Sequence, residues 1–358
     1  MPSTNCKNIG PLIINIDNTR LSDNERSIIK HKLIGGVILF THNYSSKNQL
    51  TALIDELKSI KDNLLITIDH EGGRIQRLID NFTHLPSFEH ISQIKNNKLK
   101  YDVAYSSGYI AGHELSEIGF DINFSPVVDL NHDKDNKLLK DRTFGNNPVD
   151  VIELANKYII GCLSGGILPV LKHYPGHGRV TTDSHIENCV SDVTFNELID
   201  TDIKPFQELV KNHQIPIMTN HVIYKEIDNY ITTYSKKLLQ EKIKTIFPTN
   251  SKICFISDDL EMHSAKFING IEVTCEERVL LALNAGCRFI IATTMQNNML
   301  IKQNLSYKYF LENYLTKNII EHYEKNHDMM CDIVLAKKDL KHIDKYKISL
   351  ENIIKKYE

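Results

Sequence analysis

Asp258 closes the apolar run Ile253-Cys254-Phe255-Ile256-Ser257, where a carboxylate can project from the end of a strand and attack an electrophilic carbon. The same position suits an aspartate capping the segment that follows, so the residue alone leaves both readings open. Asp259 beside it would point elsewhere if strand alternation persisted, which gives it a structural role. A second group of reactive types lies upstream, in Leu168 to His185, read LPVLKHYPGHGRVTTDSH. There Asp183 and His185 are two residues apart. An imidazole titrates near neutral pH and can exchange protons with substrate, and a neighbouring carboxylate can fix its tautomer and stabilise the imidazolium. A nucleophilic carboxylate with such a dyad fits a retaining glycosidase in which His185 replaces the usual carboxylic acid.

Around these stand charged residues suited to holding sugar hydroxyls and an acetamide oxygen: Asp69, Arg77, Arg142, Lys172 and His173. Each could equally be part of an ion-paired rim. His173, His177, Asp183 and His185 also offer nitrogen and oxygen donors to a metal. His173 and His177, however, straddle Pro175 and Gly176 and cannot share the helical face of a zinc pair. No metal and no cofactor is expected.

The elements that must carry these residues alternate regularly. Pro11–Ile16, Gly36–Phe40, Leu64–Ile68, Asp121–Phe124, Leu168–Leu171, Pro216–Thr219, Lys252–Ser257 and Arg288–Ala292 read as eight buried strands. Between them, Ser22 with Glu25, Ser46 with Gln49 and Thr194 with Glu197 have the spacing of helix N-terminal caps. Further helices are expected over an amphipathic stretch from about Leu99 to Ile118, from Pro148 to Leu163, from Ser235, and from Glu272 to Ala285. This is the pattern of a single α/β (β/α)8 TIM barrel over residues 1–298, with 299–358 as a C-terminal helical extension packed on it. A doubly wound sheet is the alternative, but no G-x-G-x-x-G follows a strand. In the barrel, Asp69, Lys172, His173, Asn220, His221 and Asp258 all fall at carboxyl ends of strands, the face where barrel enzymes keep their chemistry. Pro175, Gly176 and Gly178 make the loop beyond the fifth strand a flexible one, able to bring His185 to bound substrate.

Composition narrows the partners. Hydrophobic residues make up 41% and charged residues 24% of 358, and the net charge of −3 gives nucleic acid or an anionic membrane no purchase. No stretch reads as a signal peptide or reaches the length of a membrane span. Seven scattered cysteines without a C-x-x-C pair suit reduced thiols in a cytoplasm.

Several of these stretches together resemble glycoside hydrolase family 3, and within it the bacterial β-N-acetylglucosaminidases of peptidoglycan recycling. They are Asp69-His70-Glu71-Gly72-Gly73-Arg74-Ile75-Gln76-Arg77, Lys172-His173-Tyr174-Pro175-Gly176-His177-Gly178, Thr182-Asp183-Ser184-His185 and Ser257-Asp258-Asp259-Leu260. Gly36 to Phe40, Phe124 to Leu130, Asp141 to Phe144 and Met218 to Tyr224 are similar too, so the likeness runs from about Gly10 to Cys287. It implies a TIM barrel in which Asp258 forms a covalent glycosyl-enzyme, His185 is the acid/base and Asp183 its partner. It assigns Asp69, Arg77, Arg142, Lys172 and His173 to the non-reducing N-acetylglucosamine. It further implies a cytoplasmic, metal-independent enzyme that releases this sugar from anhydro-N-acetylmuramyl peptides, expected to act as a monomer on small carbohydrates. Asn220, where many relatives have a small residue, departs from the pattern and bears on pocket contacts. Glu261 and His263 depart as well. A phosphorylase on the same fold, a substrate-assisted hydrolase and a non-catalytic sugar-binding barrel are the competing readings.

Overall fold

The computed structural model describes residues 9–133, 135–184, 186–247 and 253–293. His185 and the expected extension over 299–358 lie outside the described residues.

Eight parallel strands form the core: Leu12–Ile14, Ile34–Leu39, Leu65–Ile68, Ile122–Asn123, a fifth in two pieces (Leu168–Pro169 and Leu171–Tyr174), Ile217–Thr219, Phe255–Ile256 and Cys287–Ile291. The sheet runs from Leu168–Pro169 through the fourth, third, second, first, eighth, seventh and sixth strands to Leu171–Tyr174. Its two ends are therefore one stretch of chain, which changes neighbours at Val170 and brings the sheet round into a barrel. The first, second, third and eighth strands are buried along their whole length and, Thr67 and Arg288 apart, apolar, as parallel strands under a helical ring should be.

Local signals set the helix starts. Ser22 accepts from the Glu25 amide at 3.3 Å while Glu25 accepts from the Ser22 amide at 2.7 Å, a reciprocal cap that opens Asp23–Ile29. Ser46 opens Lys47–Ile60 and Asn147 opens Pro148–Gly165, with Pro148 at the first turn where its missing N–H costs nothing. Asn97–Glu117, read from sequence as amphipathic, instead has buried residues on most of its circumference, because it packs against Pro148–Gly165. The helix expected from the Thr194 cap is two helices, Phe195–Asp200 and Lys204–Asn212. Between them the fully buried Asp202 carboxylate accepts from Arg179 and bonds His132, both at 2.8 Å, so the chain leaves helical geometry there. The helix expected from Ser235 is a π-helical turn, Lys237–Glu241, followed by Ile243–Ile246, and Glu272 lies in a hairpin ahead of the Thr274-capped helix Cys275–Ala285. Among the described residues, no helix is long and apolar enough to cross a membrane.

Candidate active site

The third, fourth and fifth strands deliver a charged cluster to one wall of a cavity at the carboxyl end of the barrel. Asp69 directly follows the third strand, and Glu71 lies in the short hairpin His70–Gly72/Ile75–Gln76 that extends it. Lys172 and His173 belong to the second piece of the fifth strand, and Arg142 ends the short 3₁₀ turn Lys140–Arg142. Lys172, 2% exposed, donates to Asp69 at 2.8 Å and lies 2.7 Å from Glu71. Arg142 holds Glu71 with both arms, Nε to Oε2 at 2.9 Å and Nη2 to Oε1 at 2.7 Å. Arg77 approaches Asp69 at 3.8 Å with its guanidinium over the Phe40 ring. Burial alone would raise the Glu71 carboxyl, but Arg142 and Lys172 together hold it well below the usual carboxylate range.

Asp129, beyond the fourth strand, organises the next group. Its Oδ1 accepts the backbone amides of His173 at 3.0 Å and His177 at 2.8 Å, and its Oδ2 lies 2.7 Å from His173 Nδ1. Burial opposes its ionisation, yet His173 and His177 keep its carboxyl below the ordinary value. An ionised Asp129 places the His173 proton on Nδ1 and leaves Nε2 for the cavity that His173 lines. Gly176 and Gly178 are buried rather than open hinge points. A Cβ on Gly178 would sit 1.6 Å from the Leu130 carbonyl oxygen, and one on Gly176 2.7 Å from the Asp202 side chain, so packing demands glycine at both.

A second part of the lining carries the candidate reacting groups. Asp258, two residues past the seventh strand, and Asp183, on the loop beyond the fifth, line the same cavity as Asp69, Arg77, Arg142, Lys172 and His173. That cavity has a volume of about 360 Å³, within the range of small-molecule sites. Seven of the eight expected site residues therefore converge, and His185 lies outside the described residues. The chain on either side of it is anchored: Ser264 donates its amide to the Ser184 carbonyl at 3.0 Å and its hydroxyl to the Glu187 carbonyl at 2.6 Å. Asp259 does not turn away as strand alternation would require, because the strand ends at Ile256; it also borders the cavity. Its carboxylate is nevertheless engaged by the Thr293 hydroxyl and by the amides of Thr293 and Glu261, each at 3.1 Å. Asn220 and His221 do not border the cavity. Asn220 donates to the Tyr224 hydroxyl at 3.1 Å, and His221 bonds the Thr233 hydroxyl at 2.9 Å and the Asp259 carbonyl at 3.0 Å. Among the described residues, no group of three or more histidine, cysteine or carboxylate side chains could hold a metal ion. Glu71 and Asp129 were not singled out from sequence as site residues, and His177 only as a possible metal donor.

Residues 7–316 match the N-terminal domain of glycosyl hydrolase family 3. The chain belongs to that family. It is a glycoside hydrolase, and the curated relatives it matches over most of their length are β-hexosaminidases. That of Tolumonas auensis is 36% identical over 286 residues, covering 79% of this chain and 83% of the relative. That of Psychromonas ingrahamii is 34% identical over 317 residues, covering 86% and 92%. Among solved structures, native NagZ from Neisseria gonorrhoeae superposes with a TM-score of 0.77 at 27% identity over 96% of both chains. The same enzyme in complex with N-trifluoroacetyl-D-glucosamine gives the same score and identity over 96% of this chain and 97% of its own.

Proposed function

We propose that this family 3 hydrolase is a retaining β-N-acetylglucosaminidase that removes the non-reducing terminal sugar from GlcNAc-anhydroMurNAc peptides during cytoplasmic cell-wall recycling. The observation that carries the reading is the convergence of Asp258 and Asp183 with the Asp69, Arg77, Arg142, Lys172 and His173 clamp around one sugar-sized cavity. The β-hexosaminidase relatives and the sugar-derivative complex of the gonococcal enzyme support the same substrate class.

In this reading the clamp fixes the sugar's hydroxyls and acetamide, and so the position of its anomeric carbon. An Asp258 carboxylate oxygen attacks that carbon as the bond to the leaving oxygen breaks, and His185 gives the leaving oxygen its proton. Asp183 stabilises the imidazolium that holds this proton before transfer and that forms again when water is deprotonated. Water then loses a proton to His185 and attacks the same carbon, the ester to Asp258 breaks, and sugar leaves with its configuration retained.

A panel of aryl β-glycosides, with and without inorganic phosphate, tests the assignment. Release of free N-acetylglucosamine, with a covalent adduct on Asp258 trapped by mass spectrometry, is the expected result. Sugar 1-phosphate would make the enzyme a phosphorylase, and absence of the adduct would favour participation by the acetamide. Replacing His185 with alanine should slow substrates with poor leaving groups by roughly 10²–10⁴-fold while sparing activated aryl glycosides, which need little protonation. Equal losses on both would remove the acid role.

A further inference from the structure

Across the described residues, the buried side-chain polar atoms that lack a hydrogen-bond partner are few, and only two of the residues that own them line the active-site cavity: Arg77, through Nε, and His177, through both Nδ1 and Nε2. Arg77 already belongs to the expected sugar clamp. His177 does not, although its ring is more completely orphaned and only 3% exposed.

The backbone explains why the ring stays there. The His177 amide is fixed to Asp129, its ring meets that of His173 edge-on at 6.0 Å, and the glycine on each side is locked by close packing. The loop thus presents a heterocycle to the cavity without giving its nitrogens anything to bond. Leaving a buried donor and a buried acceptor unsatisfied is unfavourable, and an apolar ring of similar size would avoid it. Burial, reinforced by His173, lowers the ring's pKa to about 4, so at neutral pH it carries one N–H donor and one bare nitrogen acceptor. A sugar hydroxyl, which both donates and accepts, is the complementary partner. A neutral ring also avoids placing a cation against Asp258, whose charge reaches it, where a fixed ion pair would blunt a nucleophilic carboxylate.

We infer that His177 is a substrate-contacting residue, hydrogen-bonding a hydroxyl or the acetamide of the sugar held in the cavity. The inference rests on the glycosidase reading above and adds to it a sixth binding residue.

His177→Phe, His177→Leu and His177→Gln test it, using an aryl β-N-acetylglucosaminide for kinetics, free N-acetylglucosamine as competitive inhibitor, and thermal unfolding of the ligand-free enzyme. The apolar variants should raise both KM and the inhibition constant roughly tenfold, as expected for losing one or two hydrogen bonds to ligand. Their ligand-free Tm should be unchanged or higher, because an unsatisfied polar ring has been removed. Glutamine, keeping a donor and an acceptor, should recover much of the affinity. A residue that merely packs would give the opposite split, with lower Tm and unchanged affinity. Affinities within twofold of wild type in a folded apolar variant would overturn the inference. So would a parallel loss of Tm and affinity, or failure of both apolar variants to fold, since each means the ring is structural. A wild-type enzyme that neither cleaves the glycoside nor binds the sugar would remove the glycosidase reading itself; normal wild-type turnover with indifferent variants removes only the role of His177.

Discussion

The two walls of the cavity are built differently. The clamp wall is a closed network: Glu71 is shared by Arg142 and Lys172, Lys172 also holds Asp69, and Arg77 leans on Asp69. Asp69, Glu71 and Arg77 follow the third strand, Arg142 follows the fourth and Lys172 lies in the fifth, and their ion pairs fix them to one another. The other wall, with Asp258, Asp183 and His177, stands on loops past the seventh and fifth strands. There Asp258 accepts from the Asp259 amide at 2.8 Å, Asp259 accepts from Thr293 and Glu261, and Ser264 ties down Ser184 and Glu187. A site that must recognise a sugar and then change bonds to it can separate those tasks. The recognition wall can be rigid and already charged, while the reacting wall carries the groups whose bonding changes once substrate arrives.

The largest effect should come from the reacting wall. Asp258→Ala is expected to cut turnover by roughly 10⁴-fold or more, the scale on which loss of a nucleophile acts. Affinity for N-acetylglucosamine should remain within a few-fold and Tm nearly unchanged, because the clamp is untouched. Steady-state kinetics with calorimetric binding would decide it. Binding lost together with turnover would mean that the two walls are one unit.

Glu71→Gln is the converse experiment and should do most of its damage to stability and binding. The two cations would lose the carboxylate they share and keep Asp69, with Asp129 acting on Arg142 from further off, and removing one partner of a buried pair costs on the order of 3–5 kcal/mol. Urea denaturation should show a loss of that size, accompanied by a raised KM. A change below about 1 kcal/mol would show that the network is dispensable and that the clamp is held by the strands alone.

Much of this contrast was legible in the chain before folding. The alternation of apolar runs with capped helices is a local signal, and it yields both the barrel and the placing of Asp69, Lys172, His173 and Asp258 at strand ends. What escaped depends on contacts distant in sequence. Asp129 matters because a strand end 44 residues before His173 returns beside it, which nothing near Asp129 announces. Glu71 could have been found, since it is two residues from Asp69 and an extended chain would turn both to one side. Asn220 and His221 share the position of true site residues but spend their polar atoms on Tyr224, Thr233 and the Asp259 carbonyl. Strand ends mark where a site sits; only packing decides which of their polar residues face it.

The smallest expected effect is also the one that separates the walls by sign. On the reacting wall, burial raises the Asp259 carboxyl to about 6, against the pull of the donors from Thr293 and Glu261. The folded protein therefore prefers Asp259 protonated, whereas the unfolded chain releases that proton at the ordinary carboxylate value. Its contribution to stability is greatest below that value and declines as pH rises to about 6, beyond which it is constant. Glu71 does the reverse. Its depressed pKa contributes stability above the ordinary value, lost only as pH falls below it. Asp259→Asn should thus gain on wild type as pH is raised from about 4 to 7, a drift of a few degrees in Tm difference at most. Parallel Tm curves for the two proteins would show that Asp259 is ionised as readily in the folded enzyme as outside it, and the difference between the walls would then lie in geometry alone.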